Sequence, residues 1–312
     1  MKYLNWICFL TVFLILTGNT TALAKDDESL KRMNLYKKTE AVTEIPWEYI
    51  AAVDQYERQV YDDPSEGRVT AIQVDPLFWS GTPEKIQADI FPEGWGSDGD
   101  GDGKADIEND EDILWSIGNY LKSYGTKEED IKIALWNYYK RDLTVQTIIN
   151  TANVFKKFQT VSLTDRDFPV PKQANYSYRS TWGDARGFGG RRIHEGTDIF
   201  ANYGVPVKST TYGVIEMKGW NRFGGWRIGI RDIYNIYHYY AHLQNFSEDI
   251  KVGDVVKPGD VIGAVGASGY GPPGTSGKFP PHLHYGMYQD NGKNEWSFDP
   301  YPYLKRWEKM AE

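Results

Sequence analysis

A chain of 312 residues is long enough for two domains, each burying its own core. With 43 acidic against 35 basic side chains it carries a formal charge of −8, which excludes nucleic acid as the main partner. The N-terminus then reads as a secretory signal peptide over residues 1–24. Lys2 is followed by an apolar run from Trp6 to Leu16 and by Ala22-Leu23-Ala24, an A-x-A ending that predicts cleavage after Ala24. That run is roughly 11 residues, short of the about 20 a membrane span needs. No later stretch is long and apolar enough to span, so the mature protein is expected outside the membrane. The single cysteine, Cys8, lies in this leader behind Ile7, which is not the small residue of a lipoprotein site. Any metal site must therefore use His, Asp and Glu.

Residues 25–44 are polar and charged and read as a flexible, loosely ordered lead-in. A helical domain is expected over 45–158. Pro46 opens a helix in which Trp47, Ile50, Val53, Tyr56 and Val60 recur at helical spacing. Thr82-Pro83-Glu84 starts another, and Asp110–Tyr124 forms a third, closed by Gly125. Thr126 and Glu129 form a capping box before Ile131 and Leu135, and Thr144 caps a last helix carrying Ile148, Ile149, Ala152 and Phe155. Residues 159–167 form a linker, with Pro169 and Pro171 just beyond it. From there to residue 306 the texture becomes short strands punctuated by glycine, as in Gly213–Met217 and Trp226–Ile230. This predicts an antiparallel sandwich or barrel, and so an α+β multidomain chain: an all-α domain, then an all-β one.

All five histidines fall between 194 and 284. His194 and Asp198, four apart, lie on one face of an extended or helical segment. His282 and His284 point to the same side of a strand, about 7 Å apart along the backbone. His242 sits in the strand-like run Tyr240-Ala241-His242-Leu243. A lone His in a β domain is more often packed than ligating, and H-x-H arises by chance. Gathered in one domain of a chain otherwise without histidine, these motifs point to a metal centre. Catalytic zinc takes three protein ligands and leaves a fourth position open. Such a centre acidifies water and polarises a carbonyl, and further histidines can move protons or stabilise an oxyanion.

The set His194-x-Gly196-x-Asp198, Ala241-His242-Leu243 and His282-Leu283-His284 resembles the lysostaphin-type zinc metallopeptidases, family M23. The likeness runs from Phe168 to Leu304 and includes Gly253-Asp254, Gly266-x-Ser268-Gly269 and Phe298-Asp299-Pro300. It implies zinc held by His194, Asp198 and His284 in a groove of an antiparallel β domain. It also implies catalytic roles for His282 as general base and His242 as stabiliser of the tetrahedral intermediate. His238 shares a strand face with His242 if that run is extended, and is read as structural. Glu195 is read as surface, pointing away from the cleft. The Gly253–Gly263 pattern also occurs in biotinyl and lipoyl carriers, but the modifiable hairpin lysine they need is missing.

Asp98, Asp100, Asp102, Gly103 and the Lys104 carbonyl match the front half of an EF-hand loop, a candidate calcium site. Position 12 is Asn109 instead of Glu, and Asp112 is the residue placed to close a longer loop. A solvated acidic loop is the plain alternative. The Ile45–Ala52 helix, this loop and Asp112–Leu121 resemble the lysozyme-like lytic transglycosylases of membrane-bound B type, with Glu57 near the catalytic glutamate. Glu57 is followed by Arg58, and the substrate segment is reduced to Ala71-Ile72-Gln73-Val74. The domain is therefore read as a degenerate glycan-binding or spacing module.

The layout resembles the sporulation L-Ala–D-Glu endopeptidases. It implies a secreted, monomeric zinc endopeptidase acting on peptidoglycan in the cell wall or spore envelope. Two other readings stay open: a non-catalytic M23-like regulator of another wall hydrolase, and a transglycosylase using Glu57.

Overall fold

The computed structural model describes residues 27–61, 67–80, 94–187 and 191–310. The leader with Cys8 and the helix expected from Thr82 lie outside them. Seven helices are described: α1 over residues 27–43, α2 Trp47–Val60, α3 Pro76–Ser80, α4 Asp110–Tyr124, α5 Glu128–Tyr139, α6 Asp142–Phe158 and α7 Tyr301–Met310. Two compact units emerge. One takes residues up to Ala51, Asp63–Ala134 and Thr160–Ser162; the other takes Ala52–Asp62, Leu135–Gln159 and Leu163–Glu312. The division falls within α2 and within α5.

In the first unit the stretch expected to be loosely ordered is a helix, α1. Its inward positions are Arg32, Tyr36, Thr39 and Thr43, all buried at spacings of four, three and four. The stripe is helical in period but polar in type, so a hydrophobicity pattern does not reveal it. The polar groups are satisfied locally: Arg32 Nε donates to Tyr36 Oη at 2.9 Å, and Thr39 and Thr43 donate to carbonyls four residues back. α4 begins and ends where its sequence predicts. Asn109 is its N-cap and accepts from the N–H groups of Glu111 and Asp112. Three acidic residues then follow in the first turn, where the helix dipole favours them. Two other expected caps are not used. α5 starts at Glu128 without a Thr126 cap, the Lys127 N–H turning to Asp130. α6 starts at Asp142, and Thr144 instead bonds the Tyr56 hydroxyl at 2.8 Å inside the second unit.

The second unit is built on one antiparallel network. Its strands are β1 Tyr176–Tyr178, β2 Ala185–Arg186, β3 Arg192–Ile193, β4 Thr197–Ala201, β5 Pro206–Lys208, β6 Gly213–Asn221, β7 Gly225–Asp232, β8 Ile236–Phe246, β9 Val255–Val256, β10 Val261–Val265, β11 His282–Asp290 and β12 Glu295–Phe298. The main order is β1-β4-β11-β8-β7-β6-β9, with β12 paired to β11, β10 bridging β5 and β8, and β2-β3 a separate ribbon. The buried face holds Ile199, Ile215, Ile228, Ile230, Leu243, Ile262 and Leu283. The domain does not end as all-β: α7 closes it, burying Leu304 and Trp307 in that core. Arg141, at the start of α6, meets Asp290 at the end of β11 through two N–H donors, each at 2.7 Å.

Candidate active site

Register brings the motif residues together. β4 and β11 pair so that Asp198 faces His284, and β11 and β8 pair so that His284 faces Ala241. Directly opposed residues on one sheet face have Cβ atoms about 5 Å apart, close enough to share a ligand. His194 lies just before β4, its N–H bonded to the Asp184 carbonyl at 2.9 Å. Gly196, the middle of the H-x-G-x-D motif, passes so close to β11 that a Cβ there would lie 2.6 Å from His284 Cε1 and from the Tyr285 carbonyl oxygen. Only glycine fits.

The outcome is a triangle of donor atoms. His194 Nε2 stands 2.8 Å from His284 Nδ1 and 3.0 Å from Asp198 Oδ1, and His284 Nδ1 is 3.1 Å from that same oxygen. A tetrahedral zinc with ligands at its usual bond lengths has donor-to-donor edges of about 3.3 Å. The three atoms thus fit a single divalent ion, and the donor set, two imidazoles and one carboxylate, suits zinc. His194 Nδ1 donates to the Thr181 carbonyl at 2.8 Å, which leaves Nε2 bare. Arg186 donates to the second Asp198 oxygen at 2.7 Å.

The electrostatics favour the protonation states a metal requires. Burial pushes the Asp198 carboxyl up, but hydrogen bonds from His194 and His284 and the nearby imidazole charges outweigh it and hold it below the usual carboxylate range. Burial pushes His284 down, more than Asp198 raises it. His242 is pushed down to about 3 by burial and by the neighbouring His282 and His284.

His242 and His282 flank the triangle. Their rings are 4.7 Å apart, and His282 Nε2 is 3.9 Å from Asp198 Oδ1. Each is held by its Nδ1 on a backbone carbonyl, Ser268 for His242 and Pro280 for His282, both at 2.7 Å. In their neutral forms both therefore present a bare Nε2. All five motif residues line one cleft of about 670 Å³, with Phe223, Tyr239 and Tyr270 among its walls.

Two expectations need correction. His238 and His242 do not share a face. Strand alternation would place them together, but His242 has φ +62°, in the left-handed region, and the β7–β8 register slips beside it. His242 turns into the cleft, while His238 stays in the core, bonded to Tyr285 at 2.6 Å and Asp232 at 3.1 Å. Glu195 is exposed but lines the cleft, where it accepts from the Tyr288 hydroxyl at 3.3 Å. Sequence reasoning missed Thr181, Arg186 and the role of Ser268. Only Ser268 had a signal, in Gly266-x-Ser268-Gly269.

The acidic loop brings carboxylate oxygens of Asp98, Asp100 and Asp112 within 4.8 Å of one another, and Asp102 stands outside that group. Asp98 accepts from the N–H groups of Gly101, Asp102 and Gly103, which hold its carboxyl below the usual range. Asp112 accepts from Gly99, Asp100 and Asp106. The loop's own backbone satisfies these carboxylates, so the cluster by itself identifies no cation site. Glu57 is fully buried and accepts a hydrogen bond from Tyr139.

Comparison with known proteins agrees with this geometry. Residues 192–300 match peptidase family M23. The L-Ala–D-Glu endopeptidase of Bacillus subtilis (strain 168) is 57% identical over an alignment of 319 residues, spanning 99% of this chain and 98% of that protein. Lysostaphin of Staphylococcus staphylolyticus is 37% identical over 115 residues, 36% of this chain and 22% of its own length. The solved catalytic domain of lysostaphin from Staphylococcus simulans is 34% identical, with a TM-score of 0.34, covering 42% of this chain and 93% of that domain. The chain belongs to peptidase family M23 and is a metalloendopeptidase.

Proposed function

We propose that this protein is a zinc endopeptidase of peptidoglycan that cleaves the L-Ala–D-Glu bond of stem peptides. The observation that carries it is the convergence of His194, Asp198 and His284 to within about 3 Å of one another. Full-length similarity to a protein named for that bond supports the choice of substrate. Bound there, zinc would supply a Lewis acid that polarises the scissile carbonyl and acidifies water. The chain's own residues supply the rest. His282, with Nε2 bare beside the triangle, accepts the proton of the attacking water. His282 then passes that proton to the leaving amine. His242, neutral at rest with Nδ1 on the Ser268 carbonyl, takes a proton from solvent on Nε2 as negative charge develops beside it and donates it to the oxyanion in a hydrogen bond. Arg186 and Thr181 hold Asp198 and His194 in place, which keeps the ligands from reorienting during turnover.

The leader over residues 1–24 supports export, and the layout supports work in the cell wall or spore envelope. Among the described residues no helix is long and apolar enough to cross a membrane. We assign the helical segment a binding or spacing role, since a glutamate with no exposure, Glu57, cannot meet a glycan strand.

The test is mass spectrometry of muropeptides after incubation with purified protein and zinc. Products with a new amino terminus on D-Glu are expected, and Asp198→Ala should yield none. Anhydro-sugar ends, or activity that survives Asp198→Ala, would sink this reading.

A further inference from the structure

We propose that Arg227 forms a carboxylate-binding subsite that selects the free α-carboxylate of the residue just after the scissile bond. This rests on the stem-peptide reading above. The observations begin with β7, whose alternate residues Arg227, Gly229 and Arg231 share one face. Arg231 is buried and paired with two carboxylates: Glu216 lies 3.4 Å from its Nε and Glu295 lies 2.7 Å from one terminal nitrogen, while the other terminal nitrogen has no hydrogen-bond partner. Arg227, four residues along the same face, has no carboxylate partner among the described residues. Its Nε is buried without a hydrogen-bond partner.

Its position explains what it could meet. β7 pairs Trp226 with Leu243 and Ile228 with Tyr240, so Arg227 stands opposite the irregularity at Ala241 and His242. It lines the same cleft as the His–Asp–His triangle. Its guanidinium carbon is 5.9 Å from the centroid of the Tyr239 ring, a contact that steadies a cation without neutralising it. Arg192 adds a second cation to the cleft wall and, among the described residues, has no carboxylate partner. It reaches the Tyr270 hydroxyl at 3.4 Å and lies 5.9 Å from the Phe223 ring centroid. Keeping a guanidinium half-buried without a carboxylate counter-ion is costly, and a substrate carboxylate held in bidentate fashion removes that cost.

The chemistry of the substrate fits. In a stem peptide the D-Glu residue continues the chain through its γ-carboxyl, so its α-carboxyl is free and lies one residue beyond the L-Ala carbonyl. With the L-Ala carbonyl at the triangle and the peptide running on towards β7, that carboxylate would meet the wall on which Arg227 stands, opposite Ala241 and His242. Modification of this carboxyl to an amide removes the charge and leaves the shape nearly unchanged.

The experiment uses the zinc-loaded enzyme and a pair of muropeptides identical except that the D-Glu α-carboxyl is free or amidated. Wild type is expected to favour the free acid in kcat/KM by roughly 10- to 100-fold, the range for loss of a charge-assisted hydrogen-bond pair. Arg227→Gln should bring that ratio near one, mainly through KM, because this binding is equal in ground and transition states. Arg227→Lys should keep part of the preference. Should Arg227→Gln fail to fold, the wild-type ratio and the Lys variant carry the test. Cleavage of the L-Ala–D-Glu bond with no preference between the pair, or a preference unchanged in the variants, overturns the subsite alone. Cleavage only at another bond overturns the stem-peptide reading and the subsite with it.

Discussion

Gly196→Ala should loosen the metal centre without replacing a ligand. The added Cβ would sit 2.6 Å from His284 Cε1, 2.8 Å from His284 Nε2 and 2.6 Å from the Tyr285 carbonyl oxygen. Ordinary carbon contacts begin near 3.5 Å, so about 1 Å of movement is required. The Tyr285 carbonyl belongs to β11, which is paired on both sides by β4 and β8 and cannot yield cheaply. The His284 ring is the softer element, but metal–ligand distances tolerate only about 0.2 Å. Displacements of this kind in residues supporting a ligand typically cost 10- to 100-fold in metal affinity, and the same is expected here. Competition with a chromophoric zinc chelator measures it, with thermal melts of the metal-free proteins as a control on folding. Zinc affinity within twofold of wild type would refute the reasoning, because the glycine would then be idle.

Two further outcomes concern the fold that holds the site. Asp290 is fully buried and takes both N–H donors of Arg141, so Arg141→Ala should cost about 3–5 kcal/mol in urea unfolding, the penalty for stranding a buried charge; a loss below about 1 kcal/mol would contradict the pairing. His238 is held below its ordinary 6.5 by burial, which outweighs its hydrogen bond to Asp232; burial raises Asp232, but His238 and Arg166 hold it below 3.8. Both bind protons less readily folded than unfolded, so this stability is complete above pH 6.5 and is lost as pH falls, first through His238 and then through Asp232. Urea midpoints between pH 7 and 5 should decline less steeply in His238→Gln than in wild type, and parallel slopes would exclude the histidine as a source.

The parts of this molecule legible in the sequence are those whose chemistry demands rare residue types. Five histidines in one region, with a carboxylate four residues from the first, mark the site before any coordinates exist. α4 is legible because its apolar period and its closing glycine agree. α1 is not, because its inward stripe is Arg, Tyr and Thr, polar residues that are buried only because bonds within the helix, four residues apart, satisfy them. Asn109 illustrates a competition: read as a defective twelfth position of a calcium loop, it is the N-cap of α4. Arg186, Arg227 and Thr181 carry no local signal, since each matters only through what a distant strand brings beside it.

β8 shows how one strand serves both core and cleft. Tyr240 and His238 face inward, bound to Thr210 and Asp232, while Tyr239 and Ala241 line the cleft. Strict alternation would next send His242 inward as well. A left-handed backbone at a non-glycine residue is a sparsely populated state costing on the order of 1–3 kcal/mol, so something must hold it there. The His242 N–H bonds the Gly224 carbonyl at 2.8 Å and its Nδ1 bonds the Ser268 carbonyl at 2.7 Å. Ser268 is itself fixed by its hydroxyl, which donates to the Leu243 carbonyl and accepts from the Trp226 N–H. It can approach so closely because Gly225, with φ +64°, has no Cβ; one would lie 2.3 Å from the Ser268 hydroxyl oxygen. The clamp thus fixes the position of the ring and, by occupying Nδ1, the nitrogen it offers the cleft. That is why the imidazole at this irregularity, and not His238 in the regular part of the same strand, is the one available to a substrate.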